Sequence, residues 1–293
     1  MLDKRYQALY ITSKTQSYTK TAQQLFITQP AVSQQISSLE TELDLKLVDN
    51  IRGKIHLTDV GLKLAKYAHQ VQLESDKVLD SVQASTSQRS ISLGCTLSLS
   101  SFLLPELIGT LKQTNTRISS MIVNTGKVLN ALQEGKIDFG LVEGNFNKEE
   151  FSAIKIRDEE FIGVVNSKNP LAAQTKLDIA DLINTPLIVR EKGSGTRDIF
   201  ANWLATQNYH IDDFHQVIEI GNPSPIIELL QRDVGVSFMY RSLVDDSLNN
   251  GHLSILQVIG FPIQHPINLV YLKDSYFANQ YRQIATSLQF NRH

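Results

Sequence analysis

The pattern of the chain changes once, near Ser90, and that change restricts the fold more than any other feature. In the first 90 residues only Gly53, Gly61 and Pro30 interrupt helix-forming sequence. Beyond Ser90, short apolar runs alternate with helical stretches, the rhythm of parallel βαβ units. Ile91–Cys95, Ile118–Val123, Ile137–Val142, Pro186–Val189, Val217–Ile220 and Val234–Met239 read as strands. Phe102–Leu111, Val128–Gln133, Thr196–Gln207 and Pro225–Arg232 read as helices. Two α/β halves suit this rhythm better than one. The chain leaves the first half near Phe161–Val165, and Lys168–Leu171 opens the second. It returns near His265–Tyr271, and a helix from Ser275 to Leu288 closes the first half.

At 293 residues the chain is too long for one ordinary core. Its 42% hydrophobic and 20% charged residues exclude a disordered protein. A single cysteine, Cys95, excludes a disulfide framework and a multi-cysteine metal site. Apolar runs such as Phe161–Val165 are too short to span a bilayer, and the start carries no stretch of signal-peptide length. The expectation is a soluble, cytoplasmic protein with no membrane partner. Net charge is −2, spread as +2 over residues 1–90 and −4 over the rest. A nucleic-acid surface must therefore place its charge locally.

The most informative stretch is Thr21 to Ser33. Ser17 can cap a short helix from Tyr18 to Leu25, and Thr28 can cap a second with Pro30 in its first turn. The second helix sets Val32, Ile36, Leu39 and Leu43 on one face and Gln29, Ser33, Gln34, Ser37 and Ser38 on the other. Surface helices usually carry Lys and Glu outside; Gln and Ser can instead reach base edges or phosphates without repelling the backbone. Two short helices with a tight turn and this division of faces describe a helix-turn-helix. Leu47 to Thr58 reads as a hairpin with Gly53 at its tip, offering Arg52 and Lys54 to phosphates or the minor groove. The DNA-contacting set is then Ser17, Thr28, Gln29, Pro30, Ser33, Gln34, Ser37, Arg52 and Lys54. From Thr58 to Ser87, Leu64, Ala68, Val71, Val78 and Val82 make a helical apolar stripe suited to self-association.

Ala22, Leu25, Gln29-Pro-Ala-Val-Ser33, Ile36, Leu39-Glu40, Leu47, Leu57-Thr58 and Gly61 resemble the characteristic residues of LysR-type transcriptional regulators. Thr21 stands where many members have alanine, and Val48-Asp-Asn50 lacks an arginine that many carry. The resemblance implies an α + α/β chain. Residues 1–58 would be a winged helix-turn-helix, 59–88 a linker and dimerisation helix, and 89–293 a periplasmic-binding-protein-like effector domain. Within that domain, subdomain I would cover 89–163 and 266–293, and subdomain II 164–265. Implied partners are double-stranded DNA, a small-molecule effector, further copies of the chain as homodimer or homotetramer, and RNA polymerase.

The same resemblance puts the effector between the two halves, where helix N-termini favour an anion. Arg190 to Arg197 is the strongest loop: Gly193 and Gly195 let backbone approach a ligand, and Ser194 and Thr196 offer hydroxyls. It looks like a loop of regulators of sulfur assimilation and carbon fixation. Its spacing is not that of a P-loop. Thr96 and Ser98 lie in a second loop, Asn124 and Thr125 in a third, and Ser224 in a fourth, weaker one. Glu143-Gly144 matches a strand ending of the same subgroup. Arg190, Lys192 and Arg197 are the nearby cations, so a small inorganic or carboxylate anion fits better than a bulky aromatic one. An aromatic or amino-acid effector is the alternative. A plain solute-binding protein is disfavoured by the helix-turn-helix. No cofactor or metal is implied. No Gly-x-Ser-x-Gly elbow or His-Glu-x-x-His pair occurs and the seven histidines are scattered, so an enzyme is not expected. Trp203 and Cys95 read as packing residues.

Overall fold

A computed structural model describes residues 3–51, 54–83, 89–112 and 116–290. Backbone contacts divide the chain into two units, Met1–Ser87 and Gln88–His293.

The first unit holds α1 (Lys4–Thr15), α2 (Tyr18–Leu25), α3 (Gln29–Leu43), β1 (Val48–Ile51), β2 (Lys54–Leu57) and α4 (Asp59–Gln83). The side chains of Asp3, Ser17 and Thr28 accept hydrogen bonds from first-turn backbone N–H groups of α1, α2 and α3. Leu9, Ala22, Val32, Ile36, Leu39, Leu47, Val48 and Ala65 form one core. Several residues of the family pattern have structural work here. The Glu40 carboxylate accepts from the N–H groups of Leu47 (2.8 Å) and Val48 (3.1 Å) and so fixes the hairpin to α3. Thr58 donates its hydroxyl to the Lys46 carbonyl (2.8 Å) and accepts from the Gly61 N–H (3.0 Å). Gly61 lies against Leu47, and a Cβ there would stand 2.0 Å from the Leu47 carbonyl oxygen. Thr21 is buried, and its hydroxyl meets those of Thr12 (3.2 Å) and Thr15 (2.7 Å), which satisfies the polar atom that alanine would lack.

The second unit begins with β3 (Arg89–Cys95), α5 (Leu97–Ser100), α6 (Leu103–Leu111), β4 (Thr116–Ile122), α7 (Thr125–Gln133) and β5 (Phe139–Val142). Next come β6 (Phe151–Asn166), α8 (Ile179–Leu182), β7 (Leu187–Arg190), α9 (Gly195–Thr206), β8 (Val217–Ile220) and α10 (Pro223–Gln231). It ends with β9 (Val236–Tyr240), α11 (Asp245–Asn249), β10 (Leu253–Leu256), β11 (Ile263–Leu272) and α12 (Ala278–Phe290). The strands follow the order β4-β3-β5-β11-β6-β9-β7-β8, with β10 also on β6. The βαβ expectation holds within each half: β3 runs parallel to β4 and β5, and β7 to β8 and β9.

The crossing is made by two long strands. β6 is a single 16-residue strand, and β11 runs antiparallel to it from Ile263↔Phe161 to Leu272↔Phe151. The crossings expected near Phe161–Val165 and His265–Tyr271 therefore fall inside continuous strands. The two halves are joined by a paired ribbon of β6 and β11. Helices α7, α9 and α10 begin at Thr125, Gly195 and Pro223, one to three residues before the apolar pattern starts. Polar and glycine positions in a first turn carry no apolar signal.

Candidate DNA-reading surface and effector cleft

Most of the α3 side chains predicted to read DNA are open to solvent. Gln29, Pro30, Gln34 and Ser37 of α3 are exposed, and Ser33 is half-buried beside Val32. Thr28 accepts from the Ala31 N–H (3.4 Å) and Ser17 from the Lys20 N–H (3.3 Å), so each hydroxyl marks a helix N-terminus that can face a phosphate. Lys54 is exposed at the start of β2. Arg52 and Gly53 lie outside the described residues. Ser38 is engaged differently from its neighbours: its hydroxyl accepts from Arg5 (3.2 Å), which also pairs with Glu42 (2.6 Å) and Asp3. One feature of this surface is absent from the pattern reading. Phe26, in the left-handed backbone conformation at the α2–α3 turn, is 96% exposed.

In the second unit, loops from both halves meet around buried polar groups. Arg190, at the end of β7, is only 6% exposed. Its guanidinium donates to both oxygens of Glu191 (2.9 and 3.1 Å) and to Ser98 Oγ (3.2 Å) of the other half. Glu191 also accepts from Asn124 Nδ2 (3.3 Å). Asn124 in turn caps α7 by accepting from the Lys127 N–H (3.1 Å). The Gly126 N–H reaches the Gly193 carbonyl (3.4 Å). Arg197 is committed, donating to the Arg190 carbonyl and to Glu219 (2.7 Å each).

Glu143 ends this cluster on the side of the first half. It is 1% exposed, its carboxylate accepts from Thr96 Oγ1, and its backbone carbonyl accepts from Thr125 Oγ1 (3.1 Å). Two glycines allow the close approach. Gly144 has φ +85°, and a Cβ on it would lie 2.8 Å from Gly195 Cα. A Cβ on Gly195 would lie 2.4 Å from the Glu143 carbonyl. Ser194 and Thr196, both buried, hydrogen-bond each other (2.9 Å). Thr96, Ser98, Asn124, Thr125, Gly193, Ser194, Gly195 and Thr196 thus lie around this junction of the two halves. Ser224 is exposed at the start of α10, where its N–H donates to Asn222 (2.9 Å), and no described contact joins it to the junction.

Burial pushes the Glu143 carboxyl up to about 7, against the opposing pull of the Thr96 hydrogen bond and the Arg190 charge. Burial and the neighbouring Glu143 likewise push the Cys95 thiol upward, which leaves it protonated and packed rather than nucleophilic. The raised Glu143 value has a consequence for stability. The protonated form is the one the fold tolerates, so its contribution is complete below the ordinary value of 4.5 and is lost as pH rises through about 7. Urea unfolding of wild type and Glu143→Gln at pH 5 and pH 8 is expected to show wild type losing about 2.5 kcal/mol relative to the variant. Parallel behaviour of the two proteins would contradict this burial.

Trp203 is half-buried, edge-on to Phe261 at 4.6 Å, and borders an open groove of about 280 Å³ with Asn202, Thr206 and His265. Among the described residues no group of His, Cys, Asp and Glu side chains could hold a metal ion. No helix among them is long and apolar enough to cross a membrane.

Residues 4–62 match the family model described as "Bacterial regulatory helix-turn-helix protein, lysR family", and residues 84–289 match "LysR substrate binding domain". The chain belongs to the LysR family. It is a DNA-binding transcriptional regulator with an effector-binding domain. This regulator is 26% identical to the HTH-type transcriptional activator CmpR of Synechocystis, over 92% of this chain and 88% of that protein. It is 25% identical to the HTH-type transcriptional regulator CysL of Bacillus subtilis, over 87% of this chain and 86% of that one. Among solved structures it superposes on ArgP from Mycobacterium tuberculosis with TM-score 0.69 at 16% identity, covering 99% of this chain and 98% of that one. The regulatory domain of Synechocystis CcmR, solved in complex with 2-PG, superposes with TM-score 0.62 at 19% identity, covering 70% of this chain and 99% of that one.

Three junction residues carry more of the geometry than the sequence assigned to them. In the sequence Arg190 reads as a nearby cation and Glu143 as part of a strand ending, and Glu191 carries no assigned role. Adjacent opposite charges directly after a buried strand, Arg190-Glu191, are the signal that could have marked this pair.

Proposed function

We propose that this regulator reads its operator with the exposed face of α3 and responds to a small anion bound where the two halves of the second unit meet. The observation behind the effector class is Arg190, a buried cation that donates to Ser98 of the other half, at a junction that also holds the buried hydroxyls of Thr96, Thr125, Ser194 and Thr196. A buried guanidinium is the group of choice for a carboxylate, sulfate or phosphate. Glu191, which occupies Arg190 here, is 23% exposed on the loop containing Gly193 and can turn out to solvent as the anion takes its place. The 2-PG bound by the CcmR regulatory domain supports a small anion over a bulky aromatic ligand. A solute-carrying or catalytic role has no comparable support.

On DNA, Gln29, Gln34 and Ser33 supply base-edge contacts, Ser17, Thr28, Ser37 and Lys54 supply phosphate contacts, and Pro30 sets the start of α3. Arg52 belongs with the phosphate contacts, and Phe26 offers its ring to a thymine methyl or a deoxyribose. Gln29→Ala or Ser33→Ala is expected to weaken binding to the operator by about 1–3 kcal/mol while sparing a scrambled duplex. Equal losses on both duplexes in a fluorescence-anisotropy titration would remove base readout from these residues. Two copies associate through α4, on which Tyr67 and Val82 (65% exposed) carry apolar surface, and dimers pair further into tetramers. RNA polymerase is the partner through which such an assembly would act on transcription.

A further inference from the structure

The cation that would receive an anion at the junction is already outnumbered by carboxylates. Arg190 faces Glu191 directly and Glu143 across the cluster. The other titratable groups facing Glu143 are Cys95 from β3 and Tyr240 from β9, and burial holds both in their neutral forms. Thr96 and Ser98 present only neutral hydroxyls. Beyond Tyr240 stands a further carboxylate, Glu159. An incoming anion therefore adds negative charge to a site whose cation is already paired with a carboxylate.

The two carboxylates differ in how they can respond. Glu191 sits on a loop with partial exposure and can swing away. Glu143 cannot. Its backbone carbonyl is held by Thr125, and its side-chain Cγ is so close to Gly195 that an added Cβ there would stand 2.8 Å from it. The route left to Glu143 is to lose its charge by taking up a proton. We propose that anion binding at the junction is coupled to protonation of Glu143, so that the effector's affinity falls as pH rises. This rests on the anionic-effector reading above. Burial already holds the Glu143 carboxyl near neutrality, and a second negative charge close by moves it further in the same direction. The step is balanced by one proton from solvent on the carboxylate oxygen, which then donates a hydrogen bond instead of repelling the anion.

The test is isothermal titration of the full-length protein with sulfate and with glycolate, neither of which titrates between pH 6 and 9, in buffers of different ionisation enthalpy. Uptake approaching one proton per anion is expected at pH 8, with affinity falling by up to about tenfold per pH unit above 7. Glu143→Gln should bind with no proton uptake and with an affinity that does not change with pH. Glu191→Gln should bind more tightly and keep the full pH dependence, which separates loss of a competing carboxylate from loss of the titrating one. Anion binding with no proton uptake, or uptake that survives in Glu143→Gln, overturns the coupling and leaves the anionic-effector reading standing. Affinity for either anion that rises with pH overturns it too, since proton uptake on binding requires the opposite sign. Failure of these anions, and equally of phosphate, sulfite, thiosulfate, sugar phosphates and other short carboxylates, to bind at any pH overturns the anionic-effector reading itself, and the coupling with it.

Discussion

Arg190→Gln is expected to weaken anion binding by at least about a hundredfold while leaving DNA binding by the first unit in place. The side chain is nearly fully buried, donates to Ser98 and to both oxygens of Glu191, and is the cation nearest Glu143. Glutamine keeps polarity and removes charge. Truncating one partner of a buried, hydrogen-bonded charge pair costs about 2–5 kcal/mol, much of it from the partner left uncompensated. Here two carboxylates would be left, so the variant should also be less stable at pH 8 than at pH 5 by more than wild type. Calorimetric titration with the tightest-binding anion checks the first effect. Wild-type affinity in the variant would move the anion site away from Arg190.

Gly61→Ala should be the most damaging single change in the first unit. The added methyl would stand 2.0 Å from the Leu47 carbonyl oxygen, far inside contact distance, and that atom is backbone, not a movable side chain. The same carbonyl accepts from the Thr58 N–H (3.0 Å), so it cannot retreat without loosening the start of α4. Overpacking of this kind costs about 3 kcal/mol, on the order of 15 °C in the melting temperature of a unit this size. It should abolish operator binding as the hairpin shifts against α3. Differential scanning calorimetry reads it directly, and a first-unit transition unchanged within about 2 °C would contradict the packing.

The helix-turn-helix was legible because its determinants are local. The caps Ser17 and Thr28, Pro30 in the first turn and the 4-3-4 apolar spacing from Val32 to Leu43 act within one or two helical turns. The βαβ halves were legible for the same reason. The 16-residue β6 was not: its first ten residues are buried only at Phe151, Ile156 and Glu159, a spacing without a period of two, and the ladder shifts register at Ile267/Asn268, so its Lys, Arg, Asp and Glu hide the strand until β11 is seen beside it. β10, Leu253–Leu256, is four residues long and owes its form to pairing with β6. The junction was half legible. Gly193 to Thr196 could be singled out from glycine and hydroxyl content. The contacts that organise the site could not, because Arg190 meets Ser98 across 92 residues and Asn124 meets Glu191 across 67. Sequence spacing carries no information on which charges the fold will bury together.

The Thr21 and Val48-Asp-Asn50 departures divide in the same way. Thr21 is compensated by two threonine hydroxyls from α1. The arginine missing near β1 has no counterpart among the described hydrogen bonds of that hairpin, which is tied down through Glu40 and Thr58 instead.

The most direct test of the account is a thermal-shift titration of the full-length protein with sulfate, sulfite, thiosulfate, phosphate, sugar phosphates and short carboxylates. A ligand that binds only the native state stabilises it by about 2.7 kcal/mol at a hundredfold excess over Kd. The account predicts a saturable rise with at least one of these anions that is lost in Arg190→Gln and reduced in Ser98→Ala and Thr96→Ala. A saturable rise from an aromatic ligand or an uncharged sugar, retained in Arg190→Gln, would contradict it.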